Sequence, residues 1–187
     1  MQAMETWSDG ELVKRMAAGG EDAFTALYRR HQGRVFRFAL HMSGSAGIAE
    51  EVTQEVFVSL MRAPKRYDAR RGALIAFLLG VARNHVRRCV VREGLYVEDD
   101  GAPLEVAGED DALGDLTKQE TLAALRRAIL SLPDVYREAV VLCELEEMDY
   151  NAAAAVLGCP VGTVRSRLHR ARGLLVEKMR MHGGCKP

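Results

Sequence analysis

Apolar residues between positions 8 and 92 recur at spacings of three and four, and this pattern predicts amphipathic α-helices. Ser8 and Glu11 form a capping box that opens a short helix, which Gly19 and Gly20 close. No segment alternates apolar and polar residues over a sustained stretch, so we expect an all-α fold without a sheet. The longest helical pattern runs up to Gly44 and contains Phe24, Leu27, Tyr28, His31, Val35, Phe38, Ala39 and Met42.

Two further helices are predicted in the same half of the chain. The third ends before Pro64 and is marked by Ile48, Val52, Val56 (or Phe57) and Leu60. After a polar turn over residues 67–72, the fourth helix is expected to direct inward Leu74, Phe77, Leu78, Val81, Ala82 and Cys89. Its outer face is then expected to carry Arg83, Asn84, Arg87 and Arg88.

The chain changes character at residues 93–116, which are acidic, poor in apolar side chains and interrupted by Gly and Pro. This composition predicts a flexible linker. A second capping box at residues 117–120 restarts helix, and another helix is predicted from about Pro133 to Leu145. We therefore divide the chain into two small helical domains, residues 1–92 and 117–187, joined by the acidic linker.

The most informative segment is residues 149–172, in which a short apolar helix, a Gly158-Cys159-Pro160 turn and an arginine-rich helix follow one another. This order is typical of a helix-turn-helix that reads duplex DNA. Helical spacing places on one inward face Val164, Leu168, Ala171 and Leu175. The opposite, base-reading face is predicted to hold Arg165, Ser166, His169 and Arg170, with the phosphate contacts Arg167 and Arg172 beside it. A solvated basic helix that caps an ordinary bundle is the alternative.

The formal net charge of zero, from 26 basic and 26 acidic residues, conceals a strong segregation of charge. Nine Lys/Arg oppose only Asp68 between Arg62 and Arg92, and seven oppose only Glu177 between Val161 and Pro187. The segment between these basic blocks, residues 93–120, contains ten Asp/Glu and one Lys. Two basic surfaces separated by an acidic stretch indicate a nucleic-acid-binding protein with two contact regions.

The composition also indicates where in the cell the protein is expected and whether it has a catalytic or metal site. No apolar run is long enough for a transmembrane helix, and the start of the chain does not resemble a secretion signal. We expect a cytoplasmic protein whose four scattered cysteines are reduced thiols. No nucleophile–base pair, phosphate loop or paired-carboxylate site is evident, so we predict neither an enzyme nor a cofactor. His182 and Cys185 could join Cys143 or Cys159 at a metal, but their spacing matches no structural zinc site, and we predict no metal.

Five segments in order resemble the extracytoplasmic-function (ECF) sigma factors, a minimal class of bacterial RNA polymerase initiation factor. They are Ala49–Phe57, which resembles the acidic helix of the first domain; Arg66–Gly72 and Ala82–Asn84, which resemble its loop and DNA-facing helix; and Leu132–Ala139 with Pro160–Arg172, which resemble the second domain. The resemblance implies promoter DNA and core RNA polymerase as partners.

The resemblance also implies a role for each motif. The first domain would recognise and melt the minus-ten promoter element through Tyr67, Asp68, Arg70, Arg71, Arg83, Asn84, Arg87 and Arg88. It would bind the clamp helices of the largest polymerase subunit through Glu50, Glu51, Gln54 and Glu55. The second domain would hold the flap of the second-largest subunit and read the minus-thirty-five element through Thr163, Arg165, Ser166, Arg167, His169, Arg170 and Arg172. A dedicated anti-sigma factor would control the protein.

Three positions depart from the family pattern. Phe77 replaces a usual tryptophan, Gly80 a common basic residue, and the alanines at 152–155 replace polar and branched residues. These departures bear on promoter preference and not on the class of protein.

The main alternative is a stand-alone dimeric helix-turn-helix regulator, which would bind two-fold symmetric operators and sense a ligand in its first half. An RNA-binding helical protein is disfavoured because the chain lacks candidate stacking aromatics beyond Tyr67.

Overall fold

The computed structural model describes the backbone of residues 7–93 and 116–182 and the side chains of residues 7–93 and 120–180. In these ranges the chain contains no strand, which confirms the all-α prediction. The α-helices of the described ranges are α1 (Asp9–Ala17), α2 (Glu21–Ser43), α3 (Ala46–Arg62), α4 (Leu74–Arg92), α5 (Leu116–Leu130), α6 (Asp134–Val140), α7 (Tyr150–Leu157) and α8 (Val161–His182). The predicted acidic linker falls almost entirely outside the described residues. None of the described helices is both long and apolar enough to cross a membrane.

The helix boundaries follow the signals in the sequence. Glu11 accepts the backbone N–H of Ser8 at 2.8 Å, and Ser8 Oγ accepts the N–H of Glu11 at 3.3 Å, so the predicted capping box is present. α2 ends where predicted, because Gly44 adopts the left-handed conformation with φ of 73° and donates its N–H to Leu40. α3 ends two residues before Pro64. Local turn chemistry therefore determines where these helices begin and end.

Helices α1–α4 form an amino-terminal bundle in which α2 packs against the other three. Phe38, Phe57 and Leu78 are fully buried at its centre. His31 is also buried, with Nε2 3.0 Å from Asp9 on α1. On the predicted inward face of α4, Leu74, Leu78, Ala82 and Cys89 are buried, and Phe77 and Val81 are half-buried and pack against the same core. Leu79 and Val86, which were not predicted, are buried as well. The buried surface of α4 is wide because the helix contacts both α2 and α3.

The carboxy-terminal helices α5–α8 include a feature that periodicity did not predict. The single helix expected over residues 133–145 is an α-helix, α6, followed by a wider π-helical turn over Val141–Leu145. The backbone N–H of Glu146 bonds to the carbonyl of Val141 at 2.9 Å and ends this turn. Glu146 is 4% exposed, so the irregular turn places a carboxylate in a buried position.

The two groups of helices share apolar contacts. One continuous cluster of buried side chains joins the bundle to the carboxy-terminal residues Ile129, Val141, Leu142, Val156 and Leu157. α7 packs against α4, and α5, α6 and the π-helical turn pack against α2. The carboxy-terminal helices are thus closed onto the bundle.

We expect Gly80→Ala to stabilise the fold by about 0.5–1 kcal/mol, because Gly80 lies inside α4 and glycine is a poor helix former. An added Cβ at Gly80 would meet no atom within 4 Å. Thermal unfolding followed by circular dichroism measures the change. Gly44→Ala is the matched control and should destabilise, because Gly44 has positive φ and its Cβ would lie 3.1 Å from Leu130. If Gly80→Ala and Gly44→Ala changed the thermal stability equally, helix propensity would not be the cause of the change at Gly80.

Candidate nucleic-acid interface

The helix-turn-helix predicted from the sequence is formed by α7 and α8. Asp149 caps α7 by accepting the N–H groups of Asn151 and Ala152, both at 2.9 Å. Gly158 ends α7 in the left-handed conformation with φ of 64°, and the carbonyl of Pro160 accepts the first N–H bonds of α8. On the inward face of α8, Val164, Leu168 and Ala171 are buried and Leu175 is half-buried. The opposite face of the helix is therefore available to a partner.

The side chains on that opposite face are exposed as predicted: Arg165, Ser166, His169 and Arg170. Thr163, near the start of α8, is half-buried, and its carbonyl accepts a hydrogen bond from Ser166 Oγ at 3.0 Å. The exposed face offers the forked guanidinium donors that suit guanine edges and phosphates.

Contacts within the carboxy-terminal helices orient the arginines of α8. The guanidinium carbon of Arg165 lies 5.6 Å from the ring centroid of Tyr150 on α7, within range of a cation–π interaction. Arg170 Nη1 lies 3.5 Å from the hydroxyl of Tyr136, and Arg172 forms an ion pair with Glu144. Helical periodicity indicated no role for Tyr136, Glu144 or Tyr150. Arg165 and Arg172 are seven residues apart, so they lie on the same side of α8.

A second candidate surface is a groove of about 560 Å³ between the loop that precedes α4 and the exposed side of α4. Five of the predicted minus-ten residues line it: Tyr67, Asp68, Arg71, Arg83 and Asn84. Its floor contains Phe77, whose ring centroid lies 5.8 Å from that of Tyr67. The groove also includes Ala155 and Val156 of α7, which lie at one of its walls.

The loop beside the groove is held by its own hydrogen bonds. Asp68 accepts the backbone N–H of Arg70 at 3.0 Å and also binds its guanidinium, while the Tyr67 hydroxyl donates to the carbonyl of Gly72. The hydrogen bond from Arg70 is the largest effect that lowers the pKa of Asp68. Asp68 therefore remains a carboxylate at neutral pH. Arg70 does not line the groove, and 90% of its side chain is exposed.

The structure corrects the expected position of Arg83 on α4. Arg83 was predicted on the outer face, but only 16% of its side chain is exposed, because it binds Glu138 of α6 with Nε–Oε1 and Nη2–Oε2 distances of 2.6 and 3.0 Å. Asn84, Arg87 and Arg88 are exposed as expected. Arg87 Nε lies 3.7 Å from the same Glu138 carboxylate.

The polar residues of the acidic helix α3 have two different surroundings. Glu50 and Gln54 line a groove of about 420 Å³ together with residues of α2 such as Tyr28 and Phe36. Glu51 lies on the α4 side and is bound by both terminal nitrogens of Arg92, at 2.9 and 2.7 Å. That hydrogen bond lowers the pKa of Glu51. Glu51 is therefore engaged by Arg92 within the chain, whereas Glu50 and Gln54 border the groove, and the polymerase-binding role of this helix stays a prediction.

The cysteines with described environments, Cys89, Cys143 and Cys159, are free. Burial raises the pKa of Cys89 and of Cys143, which favours the neutral thiol over the reactive thiolate. In the part of the chain with described side chains, no group of three His, Cys, Asp or Glu residues is arranged to hold a metal. His182 and Cys185, considered above as metal ligands, lie outside that part.

Comparison with known proteins identifies both helix groups. The family model "Sigma-70 region 2" matches residues 27–94, and "Sigma-70, region 4" matches residues 122–175. The α3–α4 surfaces and the α7–α8 helix-turn-helix thus lie in regions shared with bacterial transcription initiation factors.

Relatives named as ECF sigma factors identify the subclass of sigma-70 protein to which the chain belongs. The ECF RNA polymerase sigma-E factor of Escherichia coli (strain K12) is 32% identical over 190 residues, which cover 94% of this chain and 96% of that protein. The ECF RNA polymerase sigma factor SigE of Mycolicibacterium smegmatis is 35% identical over 160 residues, which cover 83% of this chain and 61% of that protein. The chain belongs to the ECF sigma factors, as its motifs indicated.

Solved structures agree with this assignment at the level of the fold. CnrH, in complex with the cytosolic domain of CnrY, superposes with a TM-score of 0.70 at 25% identity and covers 90% of this chain and 95% of that chain. The sigma factor RpoE of Bartonella quintana, in complex with the anti-sigma factor NepR, gives a TM-score of 0.67 at 26% identity, with 84% and 96% covered. Both neighbours are complexes of two proteins, one of them a sigma factor with its anti-sigma factor.

Proposed function

We propose that this chain is an alternative sigma factor that binds core RNA polymerase and directs it to promoters, without catalysing a reaction itself. The observation that carries the proposal is the helix-turn-helix, whose α8 buries Val164 and Leu168 and exposes Arg165 and Arg170 on the opposite face. In this proposal residues 117–187 form the domain that reads the minus-thirty-five element. Arg165 makes base contacts, and Arg167 and Arg172 contact phosphates.

The amino-terminal domain, residues 1–92, is proposed to bind the minus-ten element as the duplex opens. Opening requires contacts to the single strand that exceed the cost of unstacking and unpairing, a few kcal/mol per base. The groove lined by Tyr67, Asp68 and Asn84 has room for an unstacked base, and the nearby Arg87 and Arg88 can bind backbone phosphates. Nine basic residues between Arg62 and Arg92 support this role.

Core polymerase is proposed to bind the α3 surface through its clamp helices and the carboxy-terminal helices through its flap. We expect Glu50→Ala/Gln54→Ala to weaken binding to core polymerase by roughly 1–3 kcal/mol, because both side chains border the groove between α2 and α3. Glu51→Ala should have a smaller effect, since Arg92 already binds Glu51. Fluorescence titration of labelled chain with core enzyme measures the affinity. Glu21→Ala, an exposed acid on α2, is the control, and an unchanged affinity for the double variant would reject this docking face.

A protein regulator is also proposed. Both solved neighbours are complexes, one of them with an anti-sigma factor. We infer that a dedicated anti-sigma factor controls this chain by competing with core polymerase for its surfaces. Its identity requires co-purification from the source cells.

Reconstituted transcription tests the function as a whole. Transcription start sites are first mapped after overexpression of the chain, and an aligned upstream sequence then serves as the template. Purified chain plus core polymerase should give abortive transcripts from this template, whereas core polymerase alone should not. A chain that ignores core polymerase and instead binds a palindromic operator as a dimer would support the regulator hypothesis.

A further inference from the structure

The start of α1 lies against the loop that borders the groove beside α4. This loop contains a single 3₁₀ turn, Ala69–Arg71, whose three side chains are exposed. A Cβ atom placed on Gly10 of α1 would lie 3.4 Å from the Cβ of Ala69, so the helix backbone at Gly10 approaches the turn closely. Position 10 therefore has room for no more than a methyl group on the side that faces the turn.

Side chains of α2 hold this end of α1 in place. Asp9 accepts a hydrogen bond from Arg30 at 2.6 Å, and its other carboxylate oxygen lies 3.0 Å from Nε2 of the buried His31. Arg30 also donates to the backbone carbonyl of Trp7 at 3.1 Å. Leu12, which follows on α1, is fully buried in the core of the bundle. The beginning of α1 is therefore fixed to α2 independently of the loop.

The loop takes its shape from its own hydrogen bonds, but its position depends on contacts outside it. The hydrogen bonds of Tyr67 and Asp68 have their partners within the loop. Outside the loop, the ring of Tyr67 lies beside that of Phe77. Burial is the largest effect that raises the pKa of the Tyr67 hydroxyl, and the charge of Asp9 raises it further. Asp9 and Gly10 thus bring α1 against two neighbouring parts of the loop.

We propose that α1 positions this loop for promoter binding: Gly10 sets how closely the Ala69–Arg71 turn approaches the helix, and Asp9 anchors the helix. The proposal rests on the proposed function, which assigns Tyr67 and Asp68 of the same loop to the minus-ten element. Gly10 and Asp9 are positioning residues that act through the loop and not by contact with DNA. An unstacked base is read by hydrogen bonds and stacking, which require accurate placement of the protein groups. A shift of the loop therefore changes which base is preferred.

Enlarging the side chain at Gly10 tests the proposal. Gly10→Ile introduces a branched side chain beside Ala69, so the turn has to move away from α1. One well-aligned base contact provides roughly five- to 150-fold discrimination, and we expect Gly10→Ile to lower the preference at one minus-ten position by about fivefold or more. The measurement is abortive transcription by reconstituted holoenzyme on templates that differ at single minus-ten positions. Templates that differ in the minus-thirty-five element are measured in parallel, and the preference among them should not change.

Further variants separate positioning from a general loss of stability. Gly10→Ala adds only the methyl group that fits beside Ala69 and should retain the wild-type preference. Ala17→Ile places the larger side chain at an exposed position about 10 Å further along α1 and should also retain it. In an Ala69→Gly background, Gly10→Ile should have little effect, because the methyl group that the new side chain would meet is absent. Circular dichroism gives the folded fraction, and unfolding alone would lower the transcript yield equally on all templates.

Two results would overturn the proposal: an unchanged minus-ten preference in folded Gly10→Ile, or an equal effect of Gly10→Ile in the wild-type and Ala69→Gly backgrounds. If Gly10→Ile does not fold, Asp9→Ala takes its place, because it releases α1 from Arg30 and His31 without adding bulk. Asp9→Ala should lower the same preference, and an unchanged preference would reject the positioning role. Absence of transcripts with the wild type would reject the proposed function together with this proposal, whereas wild-type transcription with the results named above would reject the positioning role alone.

Discussion

Replacing Arg165 with alanine is expected to reduce discrimination at one base pair of the minus-thirty-five element by roughly 1–3 kcal/mol. The physical reason is that a guanidinium can donate two hydrogen bonds to one guanine, and alanine can donate none. Arg165 is exposed on α8 and its guanidinium lies beside the Tyr150 ring, which restricts its orientation before DNA arrives. A pre-oriented donor loses less side-chain entropy on binding.

The measurement is abortive transcription by reconstituted holoenzyme on templates that differ at single minus-thirty-five base pairs. If Arg165 reads one base, Arg165→Ala should reduce the difference in transcript yield among templates that vary at one base pair. The differences at the other base pairs should stay unchanged. Arg180→Ala, an exposed arginine near the end of α8, serves as the matched control and should retain the wild-type preference. A uniform loss across all templates would identify Arg165 as a phosphate contact and contradict its assignment to a base.

Replacing Arg137 with methionine is expected to destabilise the fold by about 3 kcal/mol, because hydrogen bonds from a charged donor contribute about 1.5–3 kcal/mol each. The guanidinium of Arg137 donates to the carbonyls of Met42, Leu130 and Leu132. Burial is the largest effect on the pKa of Arg137 and lowers it. Arginine side chains stay protonated in proteins, so the group acts as a charged donor. Methionine would fill much of the space but leave these carbonyls without a donor.

Chemical denaturation monitored by circular dichroism gives the change in the free energy of unfolding. Arg137→Lys should recover only part of the loss, because a single ammonium lacks the planar fork that reaches separate carbonyls. The exposed Arg180→Met should change stability by less than about 0.5 kcal/mol. If Arg137→Met were equally mild, the hydrogen bonds of Arg137 would contribute nothing net to stability.

Arg137 and Glu138 are adjacent in α6 but bind different parts of the molecule. Arg137 binds backbone carbonyls at the end of α2 and in its own helix group, whereas Glu138 binds side chains of α4. In the sequence, both residues were recognisable only as parts of the Leu132–Ala139 motif. The contact of Arg137 with Met42 spans 95 residues and that of Glu138 with Arg83 spans 55, so these two pairings are a property of the folded arrangement.

Local rules predicted the elements of this fold. The capping box at Ser8, the left-handed Gly44 and Gly158, and the inward face of α8 all follow from side-chain chemistry within one or two helical turns. The exposed face that includes Arg165 was predictable for the same reason: burial of one side of an amphipathic helix fixes the other. The domain boundaries and the roles of individual site residues stay predictions.

Residue patterns along the chain were sufficient to predict most helices and their ends, the helix-turn-helix and the basic character of α4 and α8. Whether a basic side chain is free to bind DNA depends instead on the packing of helices. Arg83 binds Glu138, 55 residues away in sequence, and Arg34 binds Glu146, 112 residues away. Periodicity assigns a residue to a face of its own helix but does not specify which helix will cover that face. The pairing arises when apolar surfaces of α4 and α7 pack together, which brings distant charges into hydrogen-bonding distance.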